Sequence, residues 1–143
     1  GNNLGTGTFI ADSAGAANAT AISLPIRNGD HYFAAQGIEP VGLIKIDIEG
    51  SEFIVISGLV ETLARDRPIV VMEWSRATES EFRAQHRTLT NMLPDRYAIF
   101  QLLARGDRDY RLARLNGAPT LGDIVLVPEE RVAGMSMQGA ATR

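Results

Sequence analysis

Cysteine is absent from all 143 residues. Disulfides and thiolate chemistry are therefore excluded, and a reducing, cytoplasmic setting is the expectation. Lysine is nearly absent too. Lys45 is the only one, and arginine carries the rest of the positive charge. The two histidines, His31 and His86, are isolated and lack the paired spacing of zinc ligands. No apolar run approaches the ~20 residues that span a bilayer, and no signal-peptide pattern is visible. The net charge of −3 offers no footprint for nucleic acid or for an anionic membrane. The chain opens on Gly1 rather than Met, which reads as processing or as excision from something longer.

What is present suits an α/β domain. A chain of this length can bury roughly 70% of its unfolded surface. Residues 1–131 read as one domain, and residues 132–143, small or polar almost throughout, as a disordered tail. Residues 43–52, Leu-Ile-Lys-Ile-Asp-Ile-Glu-Gly-Ser-Glu, carry the most information. A near-continuous β-branched run marks a buried parallel strand. It ends in carboxylates and a Gly-Ser turn, so those carboxylates are delivered to the carboxyl edge of a sheet, where open α/β sheets bind ligands.

Around that strand the pattern predicts the following elements. Residues 20–26 alternate as a strand, with Pro25 placing it at an edge. Asp30 caps a short helix over His31–Gln36 that Gly37 stops. A single helix over residues 51–65 presents Phe53, Ile56, Val60 and Leu63 as one stripe. Pro68 opens a second buried strand, Ile69–Met72, ending in Glu73-Trp74. The strand–helix–strand order predicts a parallel, right-handed βαβ unit. Thr78-x-x-Glu81 reads as a capping box for a helix reaching Leu93, with Phe82, Leu89 and Leu93 inward and His86 on or near its apolar face. Strands follow at Tyr97–Leu103, at about Tyr110–Leu115 and at Ile124–Val127, with antiparallel pairing favoured by the short connections. No internal repeat or linker is visible.

The run from Leu43 to Glu52, followed by Val55-Ile-Ser-Gly58 and by Arg67-Pro-Ile-Val-Val-Met-Glu73, resembles the central signature of the FkbM-type methyltransferases. That signature is an Ile-Lys-Ile-Asp-Val-Glu-Gly-x-Glu run, a helix with Val-Leu-x-Gly, and a strand ending in Glu. Leu24-Pro-Ile-Arg-Asn-Gly-Asp30 and Gly5-Thr-Gly-Thr-Phe9 occupy the places of the family's Thr-Leu-Asp segment and small-residue loop. The resemblance covers residues 1–74 and continues more loosely to Val127. It implies a partial Rossmann-like class I sheet, a parallel βαβ core with antiparallel C-terminal strands. It also implies methyl transfer from S-adenosylmethionine, usually to a hydroxyl oxygen of a small-molecule acceptor. The family's first strand, glycine-rich turn and ribose-binding acidic residue have no counterpart here, so the N-terminal cofactor half is expected upstream of Gly1. Gly1, Gly5 and Gly7 cannot substitute, because the G-x-G-x-x-G spacing is absent.

Under that resemblance Asp47, Glu49 and Glu73 are the candidate catalytic residues, and Asp47, Glu49 and Gly50 the candidate cofactor contacts. Asp47 can orient an acceptor hydroxyl and take its proton; its alternative role is to cap the helix starting near Ser51. Glu49 and Glu52 can instead pair with Lys45 or sit over that helix terminus. Glu73, ending the neighbouring strand, belongs on the same edge as Asp47. Gly50 lets the backbone turn sharply. Trp74 reads as a core or edge aromatic that can also floor a pocket. Asp47, Glu49 and Glu73 could together hold Mg²⁺ or Ca²⁺, but nothing in their spacing demands it, so no metal site is assigned. A metal-dependent hydrolase is the weakest alternative. A methyltransferase-like module without catalysis, folding by pairing with another copy as a homodimer, or with another chain, through an open sheet edge, is the stronger one.

Overall fold

The computed structural model describes residues 25–48, 50–104 and 109–134. The strand expected at residues 20–26 lies outside them up to residue 24, and its last two residues, Pro25 and Ile26, are not in a strand. Five strands form one mixed sheet: β1 (Leu43–Ile46), β2 (Ile69–Trp74), β3 (Tyr97–Ala104), β4 (Tyr110–Arg114) and β5 (Gly122–Pro128), in the order β1-β2-β5-β3-β4. β1 and β2 are parallel, with Ile46 opposite Met72. β5 runs antiparallel to both β2 and β3, and β4 closes a hairpin on β3. The parallel core with antiparallel C-terminal strands is therefore present. β5 is inserted between β2 and β3, though, and does not pair with β4, its neighbour in sequence.

Alternation along β2 sorts the two faces. Val70, Met72 and Trp74 are buried. They join Ile46, Ile124 and Leu126 in one cluster with Ile56, Leu59, Leu63, Phe82 and Leu89 from the helices. Ala98, Phe100, Val125 and Val127 form a second cluster, against which Val71, Leu102, Leu112 and Val132 pack. Each fully buried side chain of this kind contributes about 1.5–3 kcal/mol relative to exposure.

The helices depart from expectation in instructive ways. The first, α1, spans Gly29–Gln36, and its cap is Asn28, whose side chain accepts the His31 N–H at 3.0 Å. Gly37 ends it at φ 64°, as the sequence predicts. The single helix expected over residues 51–65 is two: α2 (Glu52–Ser57) and α3 (Val60–Asp66), broken at Gly58-Leu59. The break is where α1 docks. Asp30 donates its N–H to the Gly58 carbonyl at 2.9 Å. The Asp30 carboxyl accepts the N–H groups of Glu61 and Thr62, both at 2.9 Å. Asp30 thus caps α3 rather than its own helix. The break also moves the stripe: Leu59 is buried, whereas Val60, expected inside, is 51% exposed.

The next helix, α4, spans Arg76–Ala84 with Ser75 as its cap, not Thr78. It does not run on to Leu93. His86 takes a left-handed φ of 52° and is exposed, contrary to its expected place near the apolar face. A separate turn, α5 (Leu89–Met92), follows with a capping box of its own from Thr88 and Asn91. The last helix, α6, is Glu129–Val132.

Candidate active site

The parallel pair brings two strand ends to one edge. The β1–β2 register ends at Ile46 and Met72, so Asp47 and Glu73 are the residues that follow that rung on the two sides. Across β2, Glu73 stands opposite Asp123 of β5. Three acidic residues on three adjacent strands therefore share this edge.

Asp47 is exposed and accepts a hydrogen bond from the Lys45 ammonium at 2.7 Å. Hydrogen bonding to Asp47 and its charge, with a further contribution from Asp123, hold the Lys45 ammonium above the usual lysine range. Among the described residues the only lysine thus pairs with Asp47 and not with Glu52, and Asp47 does not cap α2. Glu73 is half-buried. With Trp74, Ser75, Arg76, Ala77, Leu121 and Gly122 it lines an open cleft of about 440 Å³. Gln101 secures the far wall of this cleft: its amide donates to the Asp123 carbonyl at 3.0 Å and accepts from the Thr120 hydroxyl at 2.8 Å. Trp74 is buried, with its ring 5.1 Å from that of Phe82. Glu49 lies outside the described residues. Among the described residues no group of three or more histidine or acidic side chains is placed to hold a metal ion.

Gly50 has a φ of 103°, a conformation that side-chain-bearing residues rarely adopt. A Cβ there would lie 2.7 Å from the Ala77 Cβ. The space left by the missing side chain is filled by α4, so Gly50 serves the turn and its packing.

Sequence reasoning placed Glu52 over a helix terminus or beside Lys45. It stands in the first turn of α2, but it is fully buried there, which the sequence did not foretell. One of its carboxyl oxygens accepts the N–H groups of Ile48 and Gly50 at 3.4 and 3.3 Å, and the other accepts the Thr78 hydroxyl at 2.7 Å. The signal was in the spacing: Glu52, Ile56, Leu59 and Leu63 fall four, three and four apart, on the inward stripe. Asp123 was also missed, because nothing local says that β5 inserts beside β2.

The sequence model of the methyltransferase FkbM domain matches residues 3–112. The chain belongs to the FkbM methyltransferase family. No curated protein and no solved structure matched it. Family membership supports methyltransferase activity for this FkbM domain, and the five-stranded α/β sheet agrees with a methyltransferase-like fold. Among its described residues no helix is long and apolar enough to cross a membrane.

Proposed function

We propose that this FkbM domain transfers a methyl group from S-adenosylmethionine to a hydroxyl oxygen of a small-molecule acceptor, at the edge carrying Asp47 and Glu73. The observation behind this reading is the register that ends at Ile46 and Met72 and sets those two residues side by side. The groups present suit the cofactor's polar portions: Asp47 and Glu73 are acceptors for its ribose hydroxyls and its ammonium. When bound, S-adenosylmethionine supplies a methyl group activated by a sulfonium. The protein's own contribution is alignment and proton removal. In this reading Asp47 accepts the hydrogen bond of the acceptor hydroxyl and takes its proton as the oxygen–carbon bond forms. Lys45 keeps a positive charge beside Asp47, and Glu73 orients the acceptor within the cleft.

Calorimetric titration with S-adenosylhomocysteine, followed by methyl-transfer assays on a panel of hydroxyl compounds, tests the reading. Micromolar binding, about −8 kcal/mol, is expected. Asp47→Asn should cut turnover by roughly 10²–10⁴-fold while the melting temperature holds. Turnover within twofold of the unaltered protein would remove Asp47 from the chemistry.

One observation favours a second reading, a module that pairs through its sheet edge. β1 is an outer strand of the described sheet. Leu43 on it and Ile54 on α2 are 64% and 53% exposed. A groove of about 580 Å³ runs beside β1, lined by Ile44, Ile46, Ile48, Val55 and Leu59 among others. An outer strand beside exposed apolar surface is a template for edge-to-edge association, and a second copy of the chain is the proposed partner. Light scattering should then give a dimer mass; a monomer at all concentrations would end this reading.

A further inference from the structure

We infer that Glu52, Thr78 and Ser75 form a relay of positioning residues that sets the separation of Asp47 and Glu73. The β1–β2 ladder stops at Ile46 and Met72. The relay joins the turn that follows β1 to the turn that follows β2.

Its polarity follows from the partners. The Ser75 hydroxyl accepts the Thr78 N–H at 3.1 Å and lies 2.8 Å from the Thr78 hydroxyl. Thr78 spends its one hydroxyl proton on Glu52 at 2.7 Å. The Ser75–Thr78 bond must therefore run from the serine hydroxyl to the threonine oxygen. Glu52 passes the connection on, because its other oxygen accepts from Ile48 and Gly50, the residues just past Asp47. Ser75 sits just past Glu73-Trp74. One end of the relay thus holds the turn after β1 and the other the turn after β2.

Burial makes the relay stiff. Glu52 and Thr78 are both fully buried. A buried polar group has no water to fall back on, so displacing any link leaves a donor or acceptor unmet. Apolar contacts brace the same strut: the Phe82 ring of α4 lies 5.1 Å from Phe53 of α2, edge-on, and 5.1 Å from Trp74. α4 therefore bears on both strand ends, and Gly50 packs against its Ala77.

The inference rests on the proposed reading of Asp47 and Glu73 as site groups. Its test uses neither cofactor nor acceptor, so the two can fail separately. The variants are Thr78→Val, which removes the hydroxyl at nearly constant shape, Thr78→Ser, which keeps it, and Ile56→Val, a core change one helical turn from Glu52 that removes none of the relay's hydrogen-bonding groups. Amide hydrogen exchange is followed at Ile48, Gly50 and the ladder residues Val70 and Leu126. The side-chain carboxyl carbon resonances of Asp47 and Glu73 are followed by NMR at constant pH. In Thr78→Val, exchange at Ile48 and Gly50 should rise at least tenfold more than at Val70 and Leu126. Both carboxyl resonances should move further than in Ile56→Val, and Thr78→Ser should restore both readouts. Uniform acceleration at all four amides would overturn the inference. So would carboxyl resonances that move no further in Thr78→Val than in Ile56→Val, since the relay would then be structural only. Should Thr78→Val fail to fold, Ser75→Ala decides: it cuts the first link and leaves the Thr78–Glu52 bond in place, and it should move both resonances in the same way.

Discussion

The Asp30 carboxyl accepts the backbone N–H of Thr62 at 2.9 Å across 32 positions of sequence. With the Glu61 N–H bound to its other oxygen, one side chain of α1 serves two of the donors that the start of α3 leaves unpaired. This cap, together with the bond from the Asp30 N–H to the Gly58 carbonyl, explains why an expected single helix is two.

Removing the cap should therefore cost stability without touching the site edge. Asp30→Ala is expected to lose about 1–2 kcal/mol, as for other capping side chains, and Asp30→Asn less. Urea unfolding followed by circular dichroism measures it. A loss below about 0.5 kcal/mol would mean that water serves the two N–H groups as well as the carboxyl does.

Gly50 and Ala77 give a coupled pair. Gly50→Ala forces a side chain into a φ of 103° and sets its Cβ 2.7 Å from that of Ala77. The expected cost is about 2 kcal/mol or more. Ala77→Gly in the same chain relieves the clash and not the strain, so a double-mutant cycle should show about 0.5–1 kcal/mol of favourable coupling. Zero coupling would assign the whole loss to the backbone.

Glu81 makes a prediction with pH. Burial, and then the nearby Glu52 charge, push its carboxyl above the usual value of 4.5, only partly offset by the Phe53 N–H. One of its oxygens is buried without a hydrogen-bond partner. A carboxyl raised in the folded state binds its proton more tightly there than when unfolded. Its stabilising contribution is therefore complete below pH 4.5 and is lost as the pH rises through the raised folded value. Glu81→Gln should accordingly raise the melting temperature at pH 7, and the gain should shrink to nothing on descending below pH 4.5. A gain of equal size at both ends of the range would show that the charge plays no part.

Local pattern was enough for some of this protein. The β-branched runs through Ile46 and Met72, the glycine at the left-handed turn, and the carboxylates at the two strand ends were all legible, because strand burial and turn chemistry act over a few residues. The family signature was legible for the same reason, being one uninterrupted stretch from Leu43 to Glu52 with its helix and second strand. Helix lengths were not. Residues 51–65 keep a helical apolar spacing throughout, and nothing within them announces that Asp30 will dock at Gly58 and divide them. Thr78 looked like a cap because a threonine three residues before a glutamate is a capping signal; Ser75 took the cap, and burial beneath the β1 turn turned the Thr78 hydroxyl towards Glu52.

The sequence by itself determined which residues are apolar, where strands and turns can form, and which acidic groups end the parallel strands. Only the tertiary structure decided that β5 enters between β2 and β3 and sets Asp123 opposite Glu73, that Lys45 pairs with Asp47, and that Glu52 lies wholly inside. These outcomes depend on groups distant in sequence meeting in a low-dielectric interior, where an unmet hydrogen bond costs more than any local preference supplies.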